Sequence, residues 1–201
     1  MIKSLLLIFD SANTWEKIAA APQNALKVFT LSLMPLLLLS AAAEGAALIK
    51  FGREQGPLDT MKPVSQELAL RYEIAQLGLS LLVVVAGAGV LQKFGQSFHR
   101  RHTYSECFTT LAYSLSPLFL LRVFAGFPAI PAWACWSVGI LLSVSALYRG
   151  IPRIMRPDPS NALGLYLLSS LLLIVVTGMA HFVAVLVLNE KILARGWGWG
   201  Y

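Results

Sequence analysis

Long stretches without Asp, Glu, Lys or Arg dominate this sequence and restrict what it can fold into. They run over residues 28–43, 74–92, 107–121, 123–148 and 159–189. With their flanks, they approach or exceed the roughly 17 to 25 residues that cross a bilayer as an α-helix. The chain is also 57% hydrophobic, with a mean hydropathy of +0.67, which exceeds what a soluble domain needs to fill one core. The sequence therefore predicts an integral membrane protein.

The segment from Cys107 to Tyr148 is about twice as long as one crossing requires, and Arg122 is its single charge. Pro128 and Pro131 lie in its middle, and two prolines this close cannot continue a helix without losing backbone hydrogen bonds. We therefore predict a helical hairpin here. The whole chain, residues 1–201, is predicted to be one all-α polytopic membrane domain, with five spans at about residues 27–49, 73–93, 106–125, 130–149 and 161–189.

Residues 1–25 form a lead-in to the first span. Its apolar run at residues 5–9 is short and is followed by Asp10, so we do not expect a signal peptide. Trp15 and Ile18 recur at helical spacing, which predicts a short amphipathic helix lying in the headgroup plane. An ordinary soluble lead-in helix is the alternative.

The distribution of basic residues predicts the orientation. If five spans alternate sides, nine Lys and Arg residues fall on the side of the N-terminus and six on the other, apart from Arg122. Because Lys and Arg in short loops favour the cytoplasm, we expect the N-terminus inside and the C-terminus outside. Nucleic-acid binding is not expected, since the positive charges are divided among loops without interleaved aromatic residues.

The connector between the last two spans is basic and rich in proline. Arg149, Arg153 and Arg156 lie in it, together with Pro152, Pro157 and Pro159. Anionic headgroups attract each basic residue near the membrane surface by about 1 kcal/mol. We therefore predict that the three arginines contact lipid headgroups.

Three motifs carry a family resemblance. GIPRIM at residues 150–155, followed by ALGLY at 162–166, resembles the loop and fifth-span entry of bacterial proteins of the Yip (Ypt-interacting protein) family. LAYSLSP at residues 111–117 is similar to the Tyr and Pro pattern of that family's third span, and residues 15–22 resemble its lead-in. The family-like positions are Tyr113, Pro117, Gly150 and Pro152.

The resemblance implies a five-span protein of a bacterial inner (plasma) membrane, and more about fold than about chemistry. Eukaryotic relatives reside in early secretory membranes, engage Rab-type GTPases and assist vesicle traffic. Only about 25 residues precede the first span here, so their long cytosolic partner-binding region is absent and GTPase binding is not expected. The family favours a membrane-organising or adaptor protein whose partners are membrane lipids, and other membrane proteins or its own copies.

Catalytic chemistry is not predicted. The sequence contains no nucleophile with a positioned base and no phosphate-binding glycine loop, so we expect neither enzyme activity nor a cofactor. His99, His102 and Cys107 could ligate a metal, but two arginines lie between the histidines, so a solvated basic loop is expected instead. Cys107 and Cys135 fall at opposite ends of the predicted hairpin and should not form a disulfide.

Small residues at 40–47 and 86–89 predict seams where helices pack closely, with a hinge or transport path as the alternative. Pro35 and Pro117 could similarly kink their spans, although membrane helices tolerate proline for structural reasons.

Three ionisable residues within the predicted spans form a candidate polar cluster. Glu44 and Arg122 lie at similar predicted depths near the outer end, so we predict that they pair, and His181 could join them. The alternative is that both charges extend separately to the outer headgroups. Such a cluster also keeps open a second class of function, a small transporter or channel acting as an oligomer, since transporters place their sites at membrane depth.

Overall fold

Helices make up nearly all of the computed structural model, which describes residues 7, 11–21, 24–55, 60–62, 64–97, 102–125, 127 and 130–188. The helices are α1 (Ser11–Ala19), α2 (Ala25–Val28), a π-helical turn (Phe29–Leu33), α3 (Met34–Phe51), α4 (Gln66–Ser97), α5 (Tyr104–Ser114), α6 (Ser116–Ala125), α7 (Ala132–Ile154) and α8 (Pro159–Leu188).

Five helical segments are long and apolar enough to cross a membrane. They are Ala25–Phe51, Gln66–Ser97, Tyr104–Ala125, Trp133–Ile154 and Ser160–Val187, and we call them the first to the fifth span. The all-α fold with five spans is therefore confirmed. The second span begins at Gln66, before the predicted start at residue 73. The prediction missed the first turns because they are polar: the exposed Arg71 and Glu67 form an ion pair one helical turn apart.

A short β-hairpin that the sequence did not predict connects the first two spans. Strand β1 (Arg53–Gln55) pairs antiparallel with β2 (Thr60–Lys62), with Arg53 opposite Lys62. Gly52 ends α3 in a left-handed conformation with φ of 75°, which only glycine adopts without strain. The hairpin lies outside the spans, so the all-α class is unchanged.

The third span is broken in its middle. Leu115 separates α5 from α6, and Pro117 in the first turn of α6 has no N–H to continue the helical ladder. The two halves pack differently: α5 packs on the second and fourth spans and on the start of the first span, while α6 packs on α3 and on the fourth span. The third span is also the most buried, with 78% of its apolar window inside the protein.

The spans have two distinguishable ends. We call the end where the first span begins the basic end; there the backbone N–H of Ala25 donates to Ser105 Oγ at 2.7 Å. At the far end, the rings of Phe51 and Phe127 lie 6.0 Å apart. The main hydrophobic core fills the basic half, and its fully buried members include Leu91, Leu115, Leu147, Ile151 and Leu165.

Helix α1 lies against the bundle through Trp15. This side chain is 0% exposed, and its ring meets Tyr113 edge to face at 6.3 Å. Gly150 of α7 lies under the same ring, and a Cβ there would approach the indole to 2.7 Å. Two of the family-like residues, Tyr113 and Gly150, thus form the seat of Trp15. The apolar face of α1 therefore contacts protein, while Glu16 and Lys17 are exposed.

Candidate functional site: an ion cluster inside the bundle

The centre of the candidate site is an ion pair between the first and third spans. Arg122 of α6 donates to Glu44 Oε2 through Nε at 2.9 Å and through Nη2 at 2.6 Å. Glu44 is 6% exposed and Arg122 is 9% exposed. The structure thus brings together the two residues that the sequence suggested as a pair. The pair joins α3 to the half of the third span that packs beside it.

The second span adds two further groups to this pair. The Tyr72 hydroxyl donates to the other oxygen of Glu44, Oε1, at 2.9 Å. Arg122 Nη2 also lies 3.3 Å from Glu73 Oε2, which makes Glu73 a second carboxylate on the same guanidinium. We call Glu44, Tyr72, Glu73 and Arg122 the ion cluster. It ties the first three spans together.

Gly45 makes room for Glu73. A Cβ at Gly45 would lie 3.2 Å from Glu73 Cγ, so a larger residue at this position would press on that side chain. The predicted small-residue seam at 40–47 therefore includes a contact with the second span. In the other predicted seam, a Cβ at Gly87 would approach Leu111 to 2.7 Å, whereas one at Gly89 would meet nothing within 4 Å.

The ion cluster lies within the spans, nearer their far end. Glu44 is seven residues before the end of α3, and Glu73 is seven residues after the start of α4, which places each about 10 Å from a helix end. Arg122 is three residues before the end of α6, or about 5 Å. Two carboxylates share one guanidinium here, so the fully ionised cluster has one negative charge more than positive charges.

A cavity of about 60 Å³ adjoins the ion cluster, and all five spans contribute to its lining. Its polar lining residues are Glu44, Tyr72, Gln76, Ser80, Arg122, Cys135, Trp136, Thr177 and His181. The three residues of the predicted polar cluster, Glu44, Arg122 and His181, therefore face one space. His181 stacks on Trp136 with ring centroids 5.9 Å apart.

Several buried polar atoms around this cavity have no hydrogen-bond partner within the protein. They are Arg122 Nη1, Gln76 Oε1 and Trp136 Nε1, two donors and one acceptor. Buried polar atoms are normally satisfied, and a space of this size holds about four water molecules. The cavity is therefore suited to ordered water or to a small polar ligand.

Towards the basic end, apolar side chains line the cavity. Val83, Leu118 and Phe119 line it there, and they belong to the main hydrophobic core that fills the basic half. The polar space therefore occupies the far half of the bundle. Cys135 also lines it, and both Cys135 and Cys107 are free and buried.

The predicted headgroup-contacting arginines lie at the basic end, away from the ion cluster. Arg149 and Arg153 lie in the last two turns of α7, and Arg156 follows the helix with φ of 46°. Pro152 is exposed within the last turns of α7. His99 lies outside the described residues. Among the residues that the structure describes, no group of three His, Cys, Asp or Glu side chains is placed to hold a metal ion.

Sequence reasoning missed Tyr72, Glu73 and Gln76. All three precede or begin the second apolar stretch, and Tyr72 and Gln76 are one helical turn apart, so they share a face of α4. A signal was available: polar residues at helical spacing directly before an apolar stretch indicate that the helix begins earlier and presents a polar face to its neighbours.

Five apolar helices around a buried ion cluster define an integral membrane protein of the polytopic α-helical class. Comparison with known proteins identifies the family. The Yip1 domain family matches residues 5–180, which is most of the chain, so the chain belongs to the Yip family. No individual curated protein and no solved structure matches it.

Proposed function

We propose that the protein is a non-enzymatic membrane-organising protein of a bacterial inner membrane, with its N-terminus in the cytoplasm and its C-terminus outside. The seat of Trp15 is the observation that carries this proposal. Gly150 lies four residues before the end of α7, about 6 Å along the helix. A helix packed on the bundle at that depth lies at the level of the boundary between headgroups and acyl chains.

Because the seat of Trp15 holds α1 at one end of the bundle, α1 affects one leaflet of the bilayer and not the other. A helix packed on one end of the bundle enlarges the cross-section of the protein in that leaflet and leaves it unchanged in the other leaflet, which favours curvature. The buried Trp15 fixes the helix on the bundle, while Glu16 and Lys17 are exposed. This action depends on shape and needs no catalytic group or cofactor.

The adaptor part of the proposal concerns partners within the membrane. The fifth span is only 22% buried in its apolar window, so most of its surface faces lipid or another membrane protein. Membrane lipids, other membrane proteins and further copies of this chain are the proposed partners.

A small transporter or channel is the second candidate, and the cavity beside the ion cluster favours it. All five spans line that space, and Glu44, Arg122 and His181 face it. Ionisable residues at membrane depth are typical of solute and proton pathways. Against this candidate, apolar side chains of the main hydrophobic core line the cavity towards the basic end.

Reconstitution of the full chain into liposomes tests the two candidates together. We expect the wild-type protein to reduce vesicle diameter in cryo-electron micrographs, and to pass tracer cations and protons no faster than protein-free vesicles do. Vesicles of unchanged diameter would contradict the membrane-organising proposal. Flux above the protein-free rate would establish the transporter instead.

Two glycine variants test whether α1 causes the change in vesicle diameter. Gly150→Leu should displace the Trp15 ring and restore the larger diameter, because a Cβ there approaches the indole to 2.7 Å. Gly78→Leu is the matched control, since Gly78 is exposed on α4 and a Cβ there meets nothing within 4 Å. Equal diameters for the two variants would show that the seat of Trp15 has no part in the effect.

A further inference from the structure

A second pocket lies at the basic end, between the last turns of α7 and the first turns of α8. It has a volume of about 370 Å³, and its lining includes Tyr148, Arg149, Pro152, Arg153, Leu163 and Tyr166. The ion cluster and its cavity share none of these residues. We call this space the basic pocket.

Positive charge is concentrated in the basic pocket. Arg149 and Arg153 are one helical turn apart and therefore lie on the same face of α7. Arg153 Nη1 donates to the carbonyl oxygen of Arg149 at 3.1 Å, which orients its guanidinium along that face. No carboxylate occurs among the described lining residues. Two guanidinium groups on one face match the oxygens of a phosphate group.

The walls of the basic pocket are apolar and continue along the fifth span. The rings of Tyr148 and Tyr166 meet edge to face at 5.0 Å and form one wall. Leu163, Leu167 and Leu171 recur at one-turn spacing on α8 and are each more than half exposed. This stripe starts in the pocket and leads away from the basic end, so a phosphate bound by the arginines would have an apolar track beside it.

The depth of the basic pocket fits a lipid headgroup. Arg149 lies five residues before the end of α7, and Leu163 lies four residues after the start of α8, so both are within about 8 Å of a helix end. The headgroup layer of a bilayer borders the hydrocarbon core at this level, and basic pockets between membrane helices accommodate anionic headgroups.

We propose that the basic pocket binds one anionic glycerophospholipid, with its phosphate between Arg149 and Arg153 and one acyl chain along Leu163, Leu167 and Leu171. A zwitterionic lipid fits less well, because its ammonium group would approach two guanidinium groups. The proposal goes beyond the organisation of the membrane by α1 and does not depend on it. Of the three arginines of the connector, Arg149 and Arg153 are assigned to the lipid site, whereas Arg156 is not, because it does not line the pocket.

Native mass spectrometry of the full chain in neutral detergent tests the proposal, with phosphatidylglycerol as the probe and phosphatidylcholine as the comparison lipid. We expect one phosphatidylglycerol molecule to be retained in preference to phosphatidylcholine. Arg149→Gln and Arg153→Gln should each weaken retention about tenfold, as expected for the loss of a charge-assisted hydrogen bond. Lysine at either position should restore part of the affinity, and Arg156→Gln should leave it nearly unchanged.

Each alternative has its own outcome in this experiment. Equal losses in Arg149→Gln and Arg156→Gln would indicate diffuse attraction to a basic surface and would overturn the pocket. Equal retention of the two lipids would show that the basic pocket does not recognise the charge of the headgroup, and would overturn the proposal. Displacement of the lipid by an equal concentration of soluble glycerol 3-phosphate would indicate that the pocket binds a free phosphate ligand instead of a lipid. Unchanged thermal unfolding of the variants ensures that loss of fold does not produce these results.

Discussion

Arg122 and Glu44 lie 78 residues apart in the sequence and meet through hydrogen bonds of 2.9 Å and 2.6 Å. Both residues are less than a tenth exposed, and they connect the first span to the third. Removal of one partner from a buried ion pair typically costs about 3 to 5 kcal/mol, because the other charge is left without compensation. The pair is therefore expected to fix how these two spans pack.

The two carboxylates of the ion cluster should respond differently to neutralisation. Glu44 accepts two bonds from Arg122 and one from Tyr72, whereas Glu73 accepts a single contact of 3.3 Å and has one oxygen without a partner. Glu44→Gln should therefore lower the free energy of unfolding by at least about 1 kcal/mol more than Glu73→Gln. Glu73→Gln should be neutral or stabilising, because it removes the surplus negative charge.

Unfolding in mixed detergent micelles, followed by tryptophan fluorescence, measures both variants under the same conditions. Arg122→Gln should give the largest loss of unfolding free energy among the three variants, because it leaves two carboxylates without their cation. A larger loss for Glu73→Gln than for Glu44→Gln would show that the assignment of the surplus charge to Glu73 is wrong.

Packing of α6 on α7 depends on Gly139. A Cβ at this position would lie 2.7 Å from Leu118 Cδ1 and 3.1 Å from its backbone Cα, and the backbone cannot rotate away as a side chain can. Gly139→Ala should therefore destabilise the protein by about 1 to 3 kcal/mol. Gly178→Ala is the control, because its Cβ would make an ordinary 3.7 Å contact with Trp136. Similar melting temperatures for the two variants would contradict this packing.

Orientation can be tested with cysteines placed in exposed positions. The native Cys107 and Cys135 are both buried, so the wild-type chain should give little background with an impermeant thiol reagent. Ser65 precedes the second span at the far end, and Ser160 lies in the first turn of the fifth span at the basic end; both are exposed. In intact cells, Ser65→Cys should be labelled and Ser160→Cys should not. The reverse pattern would place the N-terminus outside.

The sequence predicted the number of spans because charge-free stretches and the Pro128/Pro131 turn are local features. It also suggested Glu44 and Arg122 as partners, since an isolated charge within an apolar stretch needs compensation. Tyr72 and Glu73 were missed because they lie at the edge of an apolar stretch, where hydropathy does not distinguish a loop from the polar start of a helix. Their role depends on which face of α4 meets α3, and this is a tertiary property.

The family-like residues illustrate a second limit of sequence reasoning. Tyr113 and Gly150 were identified by resemblance, but nothing in the sequence indicated that they share one contact, the ring of Trp15. Contacts between residues this far apart in a chain depend on how the helices pack. Similarly, the break at Leu115 divides the third span into α5, which packs on the second span, and α6, which packs on α3, and Pro117 alone does not specify these contacts.

Glu44 and Arg122 form an interacting pair inside the membrane domain, and a double-mutant cycle measures the strength of this interaction most directly. The cycle combines Glu44→Gln and Arg122→Gln in a Glu73→Gln background, where Arg122 has no second carboxylate to replace the first. From unfolding free energies in mixed micelles, we predict a coupling of at least about 1.5 kcal/mol, as for a buried charge-assisted hydrogen bond. Strictly additive losses would contradict the pair.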